Sequence, residues 1–189
     1  MYLFFDTETS GLPRSWKSPV TDLDNWPRLV QLAYLQYDRD GKLLFEGNHI
    51  IRPVGFTIPK EASDIHKITH QRALTEGEDL SSVLILFHQM VERAECIVAH
   101  NMSFDEKIMG AEFLRNRMKD NVASKDKVCT MQSTTNFCAI KGAYGYKWPK
   151  LSELHRILFG HDFSEAHDAS VDIKATARCF WELKARKLI

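Results

Sequence analysis

The stretch LVQLAYLQYDRDGKLLFEGNHIIRP, residues 29–53, holds two extended apolar runs around a polar turn containing Asp40-Gly41. This is a hairpin signature: strand-forming residues flank a dipeptide that accepts a tight backbone turn. Upstream, YLFF at residues 2–5 reads as a short buried strand that runs into a turn with Gly11 and Pro13. Downstream the period changes. DLSSVLILFHQMVERAE (79–95) has helical length and spacing, with Asp79 or Ser81 as its cap. CIVAHN (96–101) is again a short apolar run, hence a strand, and SFDEKIMGAEFLRNRMK (103–119) follows as a helix capped by Ser103. KVCTMQ (127–132) reads as a final strand, LSELHRILFG (151–160) as a helix stopped by Gly160, and ASVDIKATARCFWELKARK (169–187) as a long closing helix. Early antiparallel strands followed by strand–helix alternation predict an α/β fold with a mixed central sheet flanked by helices. No repeat or interdomain linker interrupts it. Residues 1–189 are therefore expected to form one domain, with a polar loop insertion at about 13–27 that carries Trp16, Pro19 and Trp26.

Composition narrows the classes. At 189 residues and 44% hydrophobic content, the chain can bury roughly 70% of its unfolded surface without disulfides or structural metals. Its 25 basic and 25 acidic residues cancel, which argues against a protein that coats long nucleic acids by charge alone but leaves room for a local basic rim. The four cysteines, Cys96, Cys129, Cys138 and Cys179, form no CxxC pair and read as reduced core thiols. The N-terminus is apolar for only four residues after Met1 before turning acidic, too short for a signal peptide, and no run approaches membrane-spanning length. A cytoplasmic protein without a membrane partner is the expectation.

Three short segments carry chemistry. In FFDTETSG, Asp6 and Glu8 are two residues apart, so an extended chain sends both carboxylates to one face at the strand's end. Two such groups repel unless a cation lies between them or one is protonated; taken alone, the pair also fits a solvated strand end. In AHNMSFDEK, Asp105 falls in the first turn of a helix that follows a strand, a place where it also serves the helix dipole. Asn101 is expected to tie that loop down through side-chain bonds to the backbone, and Phe104 fits either core or pocket. In AHDASVDIKAT, His167 and Asp172 would point about 140° apart inside one helix. With Asp168 as the cap, His167 lies outside the helix and Asp172 one turn inside, so the two can converge. Ala169 lets that helix start approach a neighbour closely.

Together, and in this order, the segments resemble the three motifs of the DEDDh family of 3′–5′ exonucleases: DTETSG, HNMSFD and HDASVD. That family includes the proofreading subunit of the bacterial replicative polymerase, RNase T and the oligoribonucleases. IHKIT at Ile65 to Thr69 also resembles a stretch common in the proofreading subset. The likeness spans residues 2 to about 182 and implies an RNase H-like fold.

It further implies a two-metal hydrolysis of phosphodiesters from the 3′ end that releases nucleoside 5′-monophosphates. Two divalent ions about 3.5–4 Å apart suit an anionic substrate, and an all-oxygen ligand set suits Mg²⁺ or Mn²⁺. The resemblance gives Asp6, Glu8, Asp105 and Asp172 as metal ligands, with Asp105 acting mainly through its waters. It gives His167 as general base; an ordinary imidazole titrates near about 6.5 and takes a proton at neutral pH. His100 and His66 are rivals for that role, although by family likeness His66 contacts the terminal nucleotide. Thr7 and Thr9 would receive the 3′-terminal sugar, Leu12 would press on the last base, and Asn101 and Phe104 would border the nucleotide pocket. The cations of KIMGAEFLRNRMKD and KWPK either follow the substrate backbone or form a solvated face. The expected partner is a nucleic-acid 3′ end, DNA favoured over RNA. An RNA-trimming enzyme of the same family and a non-catalytic nucleic-acid-binding module are the alternatives. Two features depart from the family pattern: the 13–27 insertion is long, and no tail for a polymerase partner follows the closing helix.

Overall fold

The structure is a computed structural model that describes residues 1–163 and 168–189. In chain order its elements are β1 (Tyr2–Thr9), β2 (Leu29–Tyr37), β3 (Leu43–Ile50), α1 (Lys60–His66), α2 (His70–Glu76), α3 (Leu80–Arg93), β4 (Cys96–Ala99), α4 (Met102–Arg115), β5 (Asp126–Cys129), α5 (Thr130–Ser133), α6 (Thr135–Cys138), β6 (Lys141–Gly142), β7 (Gly145–Tyr146), α7 (Leu151–Phe159) and α8 (Ala169–Ala185). Five strands form one sheet in the order β3-β2-β1-β4-β5. The first three are antiparallel neighbours, whereas β1, β4 and β5 run parallel. The α/β mixed sheet expected from the hairpin and the later alternation is what forms.

β1 is the central strand and outlasts its apolar stretch. DTET continues the strand to Thr9, which puts Asp6 and Glu8 on one face as their spacing predicts, because each of its residues pairs with β2: Asp6 with Ala33, Glu8 with Gln31. The β5 strand is shorter than KVCTMQ suggests, since Thr130 already starts a helical turn. Both helix caps proposed at aspartates hold, with Asp79 accepting from the Ser82 amide and Asp168 from the Ser170 amide. Ser103 is not the cap of α4. Asn101 occupies that position with left-handed backbone (φ 77°) and makes no side-chain capping bond; its Oδ1 accepts from Ser103 Oγ instead of tying down the backbone.

The period-two alternation of β1 decides where everything else goes. Leu3 and Phe5 point into a core built with Phe87 of α3 and Ile108 and Met109 of α4. Phe4 points the other way, into a core with Ala169, Ile173, Ala177 and Phe180 of α8. Those α8 positions, spaced four, four and three apart, form one helical stripe, and Phe4 meets Phe180 edge-on at 5.1 Å between ring centroids. Continue the strand by the same rule: Asp6 and Glu8 share Phe4's face, toward α8, while Thr7 shares Phe5's face, toward α4.

The 13–27 insertion is tightly held. Asn25 accepts from the Ser15 amide at 2.7 Å and donates back to the Ser15 carbonyl at 3.0 Å, and the indole of buried Trp26 donates to the Pro19 carbonyl. Arg115 of α4 donates to the carbonyls of Leu23 and Trp26. It also pairs with Glu112, a fully buried carboxylate that accepts from Arg28 at 2.8 Å and from the Leu29 amide at 3.0 Å. Arg115 thus belongs to the loop anchor and not to a substrate-tracking face. Removing a buried charge partner strands the groups around it. Glu112→Ala is expected to lower folding stability by about 3 kcal/mol, measured as a urea midpoint shift; an unchanged midpoint would show that the anchor contributes nothing.

Candidate active site

A cleft of about 680 Å³ opens at the carboxyl end of β1, lined by Asp6, Thr7, Glu8, Asn101, Phe104, Asp105 and Asp172 among others. This is where parallel strands β1 and β4 end and where α4 and α8 begin, the position at which open α/β sheets leave a crevice. Asp6 and Glu8 arrive from the sheet and Asp172 from the first turn of α8. One carboxylate oxygen from each lies within 4.8 Å of the others. Asp105 comes from the opposite helix and is locked in place: its Oδ1 accepts from the Thr7 amide at 3.1 Å and from the Thr7 hydroxyl at 2.7 Å. The alternation of one strand therefore serves both sides of the site. Odd positions hold Asp105, and even positions face Asp172.

Electrostatics fit a cation centre. Burial pushes the Asp6 carboxyl well above the ordinary range, and the charges of Asp105, Glu8 and Asp172 add to the effect. Glu8 rises to about 8, chiefly by burial and then through Asp172 and Asp105. Burial also raises Asp105, against the opposing bonds from Thr7. Without positive charge this cluster holds protons at neutral pH that isolated carboxylates would release. Oxygen donors clustered so closely are the set that a hard divalent cation such as Mg²⁺ or Mn²⁺ takes, so the residues fit the expected metal.

The histidines separate clearly. His100 is held at both ring nitrogens, Nε2 to the Pro149 carbonyl at 3.1 Å and Nδ1 to the Thr130 hydroxyl at 2.9 Å. A carbonyl only accepts, so Nε2 carries the proton and the Nδ1 lone pair faces Thr130. Burial lowers its pKa to about 4. His100 is thus a neutral strut joining β4 to the loop before α7, with no free lone pair for base catalysis. His66 is buried at the end of α1; its Nδ1 accepts from the Ile68 amide, and the ring lies beside the Thr9 backbone. His167 lies outside the described residues. Thr9 turns its hydroxyl to the Gly11 carbonyl, and Leu12, 73% exposed, stands outside the cleft lining.

One residue and one role escaped sequence reading. Gln31 of β2, buried and paired with Glu8 in register, donates to Asp168 and accepts from the Ala169 amide. It clamps the start of α8, and so the height of Asp172, against the sheet. A glutamine inside the apolar run LVQLAYLQY was its only signal. The second is Thr7 as the anchor of Asp105, a contact between residues 98 apart in sequence.

The family model described as Exonuclease (RNase_T) matches residues 3–180. Ribonuclease T of Buchnera aphidicola subsp. Baizongia pistaciae (strain Bp) is 30% identical over 129 residues, 61% of this chain and 55% of that protein. Among solved structures, E. coli Exonuclease I in complex with a dA16 oligonucleotide superposes with a TM-score of 0.77 at 21% identity, over 99% of this chain and 42% of that one. The complex with a dT13 oligonucleotide gives 0.79 at 22%, over 98% and 41%. The zinc-bound form of the Exonuclease I–ssDNA complex gives 0.76 at 23%, over 98% and 40%. The chain thus spans about half the length of the curated relative and less than half of the Exonuclease I chains. The structural likenesses establish a shared fold.

Proposed function

This chain belongs to the exonuclease family, and from that premise we propose that it hydrolyses single-stranded nucleic acid from the 3′ end, releasing nucleoside 5′-monophosphates. One observation carries the reading: Asp6, Glu8 and Asp172, from a strand and a helix far apart in sequence, present oxygens within 4.8 Å of one another. Asp105 stands beside them on its Thr7 anchor.

Two divalent cations, Mg²⁺ or Mn²⁺, supply when bound the positive charge that neutralises the phosphodiester and makes an attacking water acidic. Asp6, Glu8 and Asp172 would hold them, and Asp105, fixed by Thr7, would act on them through water. His167, next to the α8 cap in sequence, takes the proton from the attacking water; the engagement of both His100 nitrogens supports this assignment over His100. Backbone groups of Thr7 and Thr9, with His66, meet the terminal sugar, and Asn101 and Phe104, which line the cleft, border its base. An apolar and aromatic border accepts any base, as trimming requires.

The oligonucleotides bound by Exonuclease I support DNA as substrate, while the relative named Ribonuclease T favours RNA as the second reading. The test is a 5′-labelled single-stranded DNA and its RNA counterpart, each with Mg²⁺. The expected result is a ladder shortening from the 3′ end of at least one strand. Intact strands of both kinds would overturn the proposal.

A further inference from the structure

Beside the carboxylate cleft lies a second recess of about 500 Å³, lined by Trp16, Asn101, Ser103, Lys107, Met131 and Trp148. Asn101, Met131 and Trp148 line both spaces, so the two adjoin across a shared wall. Trp16 and Trp148 are 57% and 59% exposed, an unusual state for the largest apolar side chains in a chain that buries Trp26 completely enough to leave 3%. Trp16 packs on Phe104 of the cleft, with centroids 5.6 Å apart and planes inclined by 49°. Its position is fixed from below by the Ser15–Asn25 bonds and the Arg115 anchor. An aromatic held rigidly in solvent loses little entropy when a ligand covers it.

We propose that Trp16, Phe104 and Trp148 form a stacking subsite for an unpaired base of the same strand whose 3′ end enters the carboxylate cleft. This rests on the exonuclease reading. The occupant follows from adjacency: a strand anchored in the cleft brings its next nucleotide near the shared wall of Asn101, Met131 and Trp148. Flat apolar faces suit a base of any identity, and Lys107 on the recess wall suits the phosphate that accompanies it. A base inside a duplex has both faces covered by its stacked neighbours, so the subsite selects single strands. The insertion that carries Trp16 is then part of substrate recognition.

The experiment compares steady-state kinetics on an eight-residue oligothymidylate with those on the p-nitrophenyl ester of thymidine 5′-monophosphate, which carries no second nucleotide. Trp16→Ala is expected to lower the preference for the oligomer over the ester about tenfold, through KM, and Trp16→Phe to restore most of it. Oligomer binding with Ca²⁺ in place of Mg²⁺ should quench tryptophan fluorescence in the wild type and less so in Trp16→Phe. An unchanged preference in Trp16→Ala, or equal quenching in Trp16→Phe should the alanine variant not fold, overturns the subsite. Wild-type protein that binds and is quenched without hydrolysing the strand overturns the exonuclease reading and leaves the subsite standing. An oligomer that neither binds nor is cleaved removes both.

Discussion

Asp6→Asn is expected to cut hydrolysis by on the order of 10³-fold while making the metal-free protein more stable near pH 8. The two effects have one cause. Asp6 sits in the acidic cluster, half-buried and facing the charges of Asp105, Glu8 and Asp172. In the metal-free state an ionised Asp6 adds repulsion in a poorly solvated place, and the isosteric amide removes it without a cavity. With cations bound, the same carboxylate is the ligand that the amide cannot replace. Function and stability therefore pull in opposite directions at this position. Thermal melts in EDTA and turnover in Mg²⁺, run on the same preparations, check both. A variant that loses activity and also melts lower would make Asp6 a structural residue.

The second large effect is the pH dependence of the metal-free fold. Glu8 titrates near 8 in the folded protein against an ordinary 4.5. A raised folded-state pKa means that the native protein holds its proton after the unfolded chain has released it. The stability this contributes is fully present below about pH 4.5 and is lost as pH rises through about 8. Denaturant unfolding in EDTA should therefore show a falling contribution over that interval, absent from Glu8→Gln. Millimolar Mg²⁺ or Mn²⁺ should remove most of the fall, because an ion binding only the folded state adds stability, about 2.7 kcal/mol at a hundredfold excess over its Kd. Identical pH profiles for Glu8→Gln and wild type would show that the carboxylate is not under strain.

Much of this arrangement was legible in the chain because local chemistry and tertiary demand agree. Asp40-Gly41 between two apolar runs can hardly be anything but a hairpin, and Asp79 and Asp168 cap helices for the usual reason, a short carboxylate reaching back to a free amide. Disagreement between the two levels marks the misses. The helices α1 and α2 are only seven residues each, too short to show a period. The hairpin of β6 and β7 has two residues per strand and leaves no alternation to detect. At the site, residue types and order were readable, but not the contacts that position them. Thr7 meeting Asp105, Gln31 clamping α8 and Trp16 resting on Phe104 each join segments that only folding brings together.

Binding of Mn²⁺ followed by calorimetry at pH 7, in two buffers of different ionisation heat, examines the carboxylate cluster without reference to turnover. The expected result is saturable binding accompanied by proton release, since a cation displaces the protons that burial and mutual repulsion keep on Glu8 and its neighbours, with affinity at least about tenfold weaker in Asp172→Asn. Absence of binding, or the same affinity and proton count in Asp172→Asn, would contradict the assignment of these side chains to a metal centre.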